Sequence, residues 1–128
     1  MPVSDPIADL LTRIRNAQHA RRDSCVCPWS RHKEEICNVL QKEGYLQEVK
    51  VEGEGKEKEI LLTFSKEHPK MTLTRMSKPS RRVFRGTNNL PPVLRGYGLA
   101  VLTTNLGVMT DREARKKGVG GELLCTVS

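Results

Sequence analysis

Apolar residues recur at helical spacing in two stretches of the first half of the chain. In the first, Asp5 can cap a helix whose first turn suits Pro6. Its inward face is predicted to consist of Ile7, Leu10, Leu11 and Ile14. In the second, Ser30 is the predicted cap and Gly44 the predicted stop. Its predicted inward residues are Ile36, Val39 and Leu40.

Short extended segments complete this half of the chain. Residues 24–28 are predicted to form a strand between the two helices. Residues 45–52 and 59–64 are predicted to form a hairpin around the Gly-Glu-Gly turn at 53–55. The predicted order of elements is therefore α-β-α-β-β.

The second half is predicted to be mostly antiparallel. Alternating or extended segments predict strands near residues 71–76, 82–85, 99–104 and 122–127. Thr110 and Glu113 have capping-box spacing, which predicts a helix over residues 111–117 that stops at Gly118. We expect an α+β fold of two small α/β domains: an N-terminal α-β-α-β-β domain over residues 1–65 and a mostly antiparallel C-terminal α+β domain over residues 66–128.

The composition limits the class of protein. Hydrophobic residues make up 37% of the 128 residues and aromatic ones 4%, so the core must consist mainly of Leu, Val and Ile. No apolar run approaches the ~20 residues that a membrane span needs. The N-terminal residues lack the basic and apolar segments of a secretory signal. We expect an intracellular protein without a membrane segment.

The net charge of +7 is concentrated in one segment. No acidic residue occurs between Glu67 and Asp111, and the other 15 basic residues of the chain are balanced by its 15 acidic ones. The seven basic residues of the segment are Lys70, Arg75, Lys78, Arg81, Arg82, Arg85 and Arg95. Because this one segment accounts for the whole net positive charge, we expect it to bind a polyanion; the alternative is a basic surface that only contacts solvent. The excess of Arg over Lys favours forked contacts to phosphate.

The sequence TTNLGVMTDREARKKGVGGE, residues 103–122, combines hydroxyls, an amide, glycines and basic residues. A nucleotide-phosphate loop needs its glycines before the helix, whereas three glycines follow the predicted helix here and there is no G-K-[ST] motif. Thr hydroxyls and the Asn105 amide both donate and accept, which suits the shallow minor groove of A-form RNA. Gly107 would let the backbone come close or adopt positive φ. Ordinary strand propensity is the alternative interpretation of Thr103 and Thr104.

Catalytic and metal-binding arrangements are not expected. The three histidines lie in polar segments without a Ser or Asp relay, and Glu122 has no evident carboxylate partner. Cys25, Cys27, His32 and Cys37 form a conceivable zinc site, but C-x-C is not the usual knuckle and Cys37 is expected inside a helix core. We therefore predict no catalytic residue, no metal and no cofactor, and expect reduced thiols.

Four stretches of the chain resemble the S-eight family, the eighth protein of the bacterial-type small ribosomal subunit. They are GLAVLTTNLGVMTDREARKKGVGGELLC at 98–125, DPIADLLTRIRNA at 5–17, NVLQKEGYLQ at 38–47 and RMSKPSRRVF at 75–84. The resemblance spans nearly the whole chain in the right order. It implies two small α/β domains, of which mainly the C-terminal one binds a helix in the central domain of small-subunit ribosomal RNA early in assembly.

The resemblance also implies site residues. The family's Ser-Thr-Ser RNA-contacting turn corresponds to Thr103, Thr104 and Asn105, with an amide in place of the third hydroxyl. In the basic stretch Phe84 replaces the family's Tyr; it keeps the ability to stack but loses the phenol, and a core position is its alternative interpretation. Glu122 matches the glutamate of the family's G-G-E. The candidate RNA-binding residues are Arg75, Lys78, Arg81, Arg82, Phe84, Arg85, Thr103, Thr104, Asn105, Gly107, Thr110 and Glu122.

The expected function is that of a non-catalytic constituent of the small ribosomal subunit that binds small-subunit ribosomal RNA directly and promotes assembly. The resemblance further implies contact with neighbouring small-subunit proteins, the S-five family especially, and residence on a cytoplasmic ribosome, with an organellar ribosome left open. Repression of its own operon through messenger RNA varies within the family, and the sequence leaves it open. The alternative is a free-standing RNA-binding regulator that does not reside on the ribosome.

Overall fold

The structure, a computed structural model, describes residues 6–66, 71–76, 83–86 and 98–128. These residues fall into two compact units, one within Pro6–Met71 and the other within Thr72–Ser128. The division into domains over residues 1–65 and 66–128 stays a prediction. None of the helices in the described ranges is long and apolar enough to cross a membrane.

The first unit has the predicted α-β-α-β-β order. Its elements are α1 (Pro6–His19), β1 (Ser24–Pro28), α2 (Arg31–Lys42), β2 (Leu46–Glu52) and β3 (Glu59–Phe64). A short 3-10 helix at Gly55–Glu57 lies inside the β2–β3 connection. The strands form an antiparallel sheet with β3 in the centre, between β1 and β2.

The core of this unit consists of the predicted apolar faces. All four predicted inward residues of α1 are buried, as are Ile36 and Leu40 of α2 and Ile60 and Leu62 of β3. Val39 is half-buried. Cys37 is fully buried, as expected for a small core residue.

Local signals account for both ends of α2. The Ser30 hydroxyl accepts a hydrogen bond from the Lys33 backbone N–H at 3.2 Å. Gly44 follows the last residues of the helix with a φ of +87°, a left-handed conformation that a side chain would disfavour. The predicted cap and the predicted stop are both confirmed.

The second unit contains an antiparallel sheet of five strands and one short helix. Its elements are β4 (Leu73–Arg75), β5 (Phe84–Arg85), β6 (Leu99–Thr104), β7 (Gly107–Thr110), α3 (Asp111–Lys117) and β8 (Gly121–Val127). β8 pairs with β6 on one side and with both β4 and β5 on the other. β7 pairs with the far side of β6. The predicted α+β class with antiparallel pairing is confirmed.

One strand of this sheet was not predicted. The resemblance implies a turn at Thr103, Thr104 and Asn105, whereas the actual turn contains only Asn105 and Leu106, and Gly107–Thr110 returns as β7. A strand of four residues that begins at a glycine and ends at a helix cap is too short to show alternation. Helix α3 itself begins as predicted, because the Thr110 hydroxyl accepts from the Glu113 N–H at 3.2 Å. It ends at Gly118, whose φ is +68°.

Helix α3 packs on one face of the sheet. Its Ala114 belongs to a buried cluster with Ala100, Leu102, Met109 and Leu123. The buried Asp111 carboxylate ties the helix to β6, because one oxygen accepts from the Ala100 N–H at 3.2 Å. The other oxygen lies 3.2 Å from the Arg115 guanidinium. The apolar cluster and this carboxylate together fix α3 against β6.

Candidate nucleic-acid interface

Three of the candidate residues form a row across the sheet. Glu122 of β8 is opposite Phe84 of β5 on one side and opposite Thr103 of β6 on the other. Residues directly opposite each other in an antiparallel sheet project from the same face. The pairing therefore brings together side chains that are up to 38 residues apart in the sequence.

This row lies on the face of the sheet that is turned away from α3. Leu102 and Leu123, the neighbours of Thr103 and Glu122, belong to the buried cluster under the helix. Val83 packs against the same cluster, so that Phe84, the next residue, projects to the other side. The row and the buried cluster thus lie on opposite faces of the sheet.

Phe84 is 62% exposed, which makes its interpretation as a core residue wrong. Beside it, the Glu122 carboxylate belongs to a residue that is only 8% exposed, and Thr103 is half-buried. An exposed ring next to a carboxylate and a hydroxyl offers a stacking surface, an acceptor, and a group that both donates and accepts.

Thr104 lies on the other side of β6 from Thr103. Its hydroxyl is 3.9 Å from the sulfur of Met109, a member of the buried cluster. The same hydroxyl donates to the Gly107 carbonyl at 2.9 Å and accepts from the Leu106 N–H at 3.1 Å. The structure therefore does not present Thr103 and Thr104 side by side, and the proton of the Thr104 hydroxyl is used within the turn.

The tip of the β6–β7 hairpin consists of Asn105 and Leu106, both exposed. Gly107 follows with a φ of +114°, and a Cβ on it would meet no atom within 4 Å. Gly107 is therefore required for its backbone conformation and not for space. Leu106 is 59% exposed, and nothing in the sequence distinguishes it from an ordinary core leucine.

Two of the three glycines that follow α3, Gly120 and Gly121, allow the strands to approach each other. A Cβ on Gly121 would collide with the carbonyl oxygen of Thr103 in β6. A Cβ on Gly120 would lie 2.5 Å from the carbonyl oxygen of Arg85 in β5. These close approaches hold β5 and β6 on either side of Glu122, so the glycines shape the candidate site.

The other candidates differ in their surroundings. Thr110 is 1% exposed and its hydroxyl caps α3, so its side chain supports the helix. Arg75 is half-buried opposite Cys125, and Arg85 is exposed with its guanidinium donating to the Phe84 carbonyl at 2.9 Å. Lys78, Arg81 and Arg82 lie outside the described residues.

The thiols are poor candidates for metal ligands. Burial raises the pKa of the Cys25 thiol to about 11 and also raises the pKa values of Cys27 and Cys37. Protonated thiols bind metals weakly. Across the described ranges there is no group of three or more His, Cys, Asp or Glu that could hold a metal ion.

The other unit has a groove of about 520 Å³ between α1 and β1. Its lining includes Arg13 and Arg22 but none of the candidate residues. Arg13 is held there by the Asp9 carboxylate at 3.0 Å and donates to the Val26 carbonyl at 3.1 Å. Arg13 therefore ties α1 to the edge of β1.

Comparisons with known proteins agree with this architecture. The family model described as ribosomal protein S8 matches residues 5–128. The chain is 49% identical over 131 residues to the small ribosomal subunit protein uS8 of Burkholderia cenocepacia, with 100% of both chains covered. It is 48% identical to the uS8 protein of a Synechococcus species, with 96% of both covered, and 47% identical to that of Rubrobacter xylanophilus, with 99% covered.

Proposed function

The chain belongs to the ribosomal protein S8 family, and from this premise we propose that it binds the central domain of small-subunit ribosomal RNA through the face that carries Phe84, Glu122 and Thr103. Membership makes it a structural, non-enzymatic constituent of the small ribosomal subunit. The proposal rests on the cross-strand row, in which Glu122 is opposite both Phe84 and Thr103.

The chemistry of the row suits the minor groove of A-form RNA. That groove is wide and shallow and offers 2′-hydroxyls and base edges. A carboxylate such as Glu122 accepts from 2′-hydroxyls and exocyclic amines but repels phosphate, so it favours the groove over the backbone. Phe84 can stack on a base or ribose, while Thr103 and Asn105 can donate and accept.

The charged candidates supply the contacts that do not depend on sequence. Arg75 projects from the same face as the row, whereas Arg85 follows Phe84 along β5 and projects from the face of α3. Arginine suits phosphate because its planar fork matches two oxygens. We propose that the basic segment positions the RNA and that the row and the turn at Asn105 recognise it.

The test compares Thr103→Val with Thr74→Val. Both threonines are on strands of the same sheet, but they project from opposite faces. Thr74 is opposite Thr126, which is opposite Ala100 of the cluster under α3, so Thr74 is on the face away from the row. The assay is filter binding to a central-domain fragment of small-subunit ribosomal RNA. We expect Thr103→Val to weaken the binding free energy by about 1–3 kcal/mol and Thr74→Val to leave it almost unchanged. Equal affinity of the unchanged protein for the fragment and for a scrambled RNA would refute direct specific binding.

We further propose that RNA binding promotes assembly of the subunit on a bacterial-type cytoplasmic ribosome and that an S-five family protein is a neighbour. The protein should then co-sediment with small subunits in high salt, whereas a free-standing regulator would stay in the soluble fraction. We also propose repression of its own operon, which predicts that a hairpin from the operon messenger RNA competes with the ribosomal fragment.

A further inference from the structure

Helix α3 carries a basic surface on the opposite side of the sheet from the row. Ala114 faces the buried cluster with Leu102 and Met109, whereas Glu122 and Phe84 project from the other face. The outward residues of α3 therefore point away from any RNA that contacts the row.

Four of the seven residues of α3 are basic, and all four are exposed: Arg112, Arg115, Lys116 and Lys117. Asp111 is buried against the sheet and interacts with Arg115 at 3.2 Å. Within the described residues, Lys116 and Lys117 have no hydrogen bond or ion pair through their side chains. Glu113 on the same helix is half-buried, and the four exposed basic side chains leave the outward surface of α3 net positive.

The stability of the helix explains only part of this pattern. Basic residues in the last turn interact favourably with the negative end of the helix dipole, which accounts for Lys116 and Lys117. Arg112 lies in the first turn, where a positive charge is unfavourable, and it is four residues from Lys116, a spacing at which like charges repel. A polyanion on this surface would compensate both repulsions.

We propose that the outward surface of α3 binds the phosphates of a second RNA segment, distinct from the segment that contacts Phe84, Glu122 and Thr103. This inference rests on the proposed function. Lysines suit phosphates as compact, mobile charges, and the two exposed lysines need no bond to be broken before they bind. The C-terminal unit would thus hold two RNA segments on opposite faces of one sheet.

The test uses the double variant Lys116→Gln/Lys117→Gln and two RNAs. One RNA is a short central-domain hairpin that the unchanged protein binds, and the other is the whole central domain of small-subunit ribosomal RNA. We expect the variant to bind the hairpin within about twofold of the unchanged protein. We expect about a tenfold loss on the whole domain and a log–log salt slope flatter by about one to two units.

The matched control is Lys42→Gln/Lys56→Gln, which removes two exposed lysines of the other unit. The control should retain its affinity for both RNAs. Three results would each overturn the proposal of a second RNA segment. The α3 variant could lose equal affinity for both RNAs, the control could lose as much affinity as the α3 variant, or the α3 variant could show a lowered Tm with unchanged binding. If the unchanged protein binds neither RNA specifically, the proposed function fails first and the inference fails with it.

Discussion

The Thr104 hydroxyl donates to the carbonyl of Gly107 at 2.9 Å across the β6–β7 turn. It also accepts from the Leu106 N–H at 3.1 Å, so both ends of the tip are held by one side chain. A hydroxyl has one proton and two lone pairs, and one lone pair remains for a ligand. Thr104 thus positions Asn105 and Leu106 at the tip of the hairpin.

Replacing Thr104 by Val should therefore affect stability as well as binding. The variant keeps the shape and strand propensity of Thr but leaves the Leu106 N–H without this partner. We expect a loss of about 1–2 kcal/mol in the free energy of unfolding, measured by urea denaturation. Affinity for the cognate RNA should also fall, with an unchanged salt slope, because no charge is altered.

Thr104→Ser is the matched control, since it retains the hydroxyl and should largely restore both quantities. An unchanged urea midpoint in Thr104→Val, together with a loss of cognate binding, would contradict the positioning role. That result would show instead that the hydroxyl acts on RNA directly.

The contrast between the capping residues and Thr104 shows how far the sequence can predict this structure. Ser30 and Thr110 were recognised because a cap depends on residues within one helical turn. The hydrogen bonds of Thr104 depend on the strand β7, whose four residues give no periodic signal. The row of Phe84, Glu122 and Thr103 depends on the register of three strands, which no local pattern encodes, although the family resemblance named each residue.

Replacing Gly121 by Ala should disrupt the sheet beside the site. The added Cβ would collide with the Thr103 carbonyl oxygen, and backbone atoms cannot move aside as a flexible side chain can. We expect a loss of about 1–3 kcal/mol in the free energy of unfolding. Gly86→Ala is the control, because a Cβ there would meet nothing within 4 Å. Similar urea midpoints for the two variants would show that β6 and β8 can separate without cost.

Cys25 should react slowly with iodoacetamide in the folded protein. Burial raises the pKa of its thiol from 9.0 to about 11, so the reactive thiolate is scarce at pH 8. Between pH 9 and 11 the alkylation rate should keep rising in the folded protein and level off in the denatured protein. Folding favours the protonated thiol, so the stability from this group is complete below pH 9 and declines above it. Mass spectrometry of the alkylated peptide measures the rate, and parallel curves for both states would contradict the shift.

Replacing Phe84 by Ala should weaken RNA binding without destabilising the fold. The ring is 62% exposed and therefore contributes little to the core, whereas stacking on a base is worth about 1–3 kcal/mol. Phe84→Tyr keeps the ring and adds a hydroxyl, so it should bind the central-domain fragment at least as tightly as the unchanged protein. The salt slope should be the same for all three proteins, because none of the changes alters a charge. Filter binding at several salt concentrations measures the affinity, and thermal melts of each protein measure the stability. A lowered Tm in Phe84→Ala with unchanged affinity would show that the ring stabilises the fold and does not bind RNA.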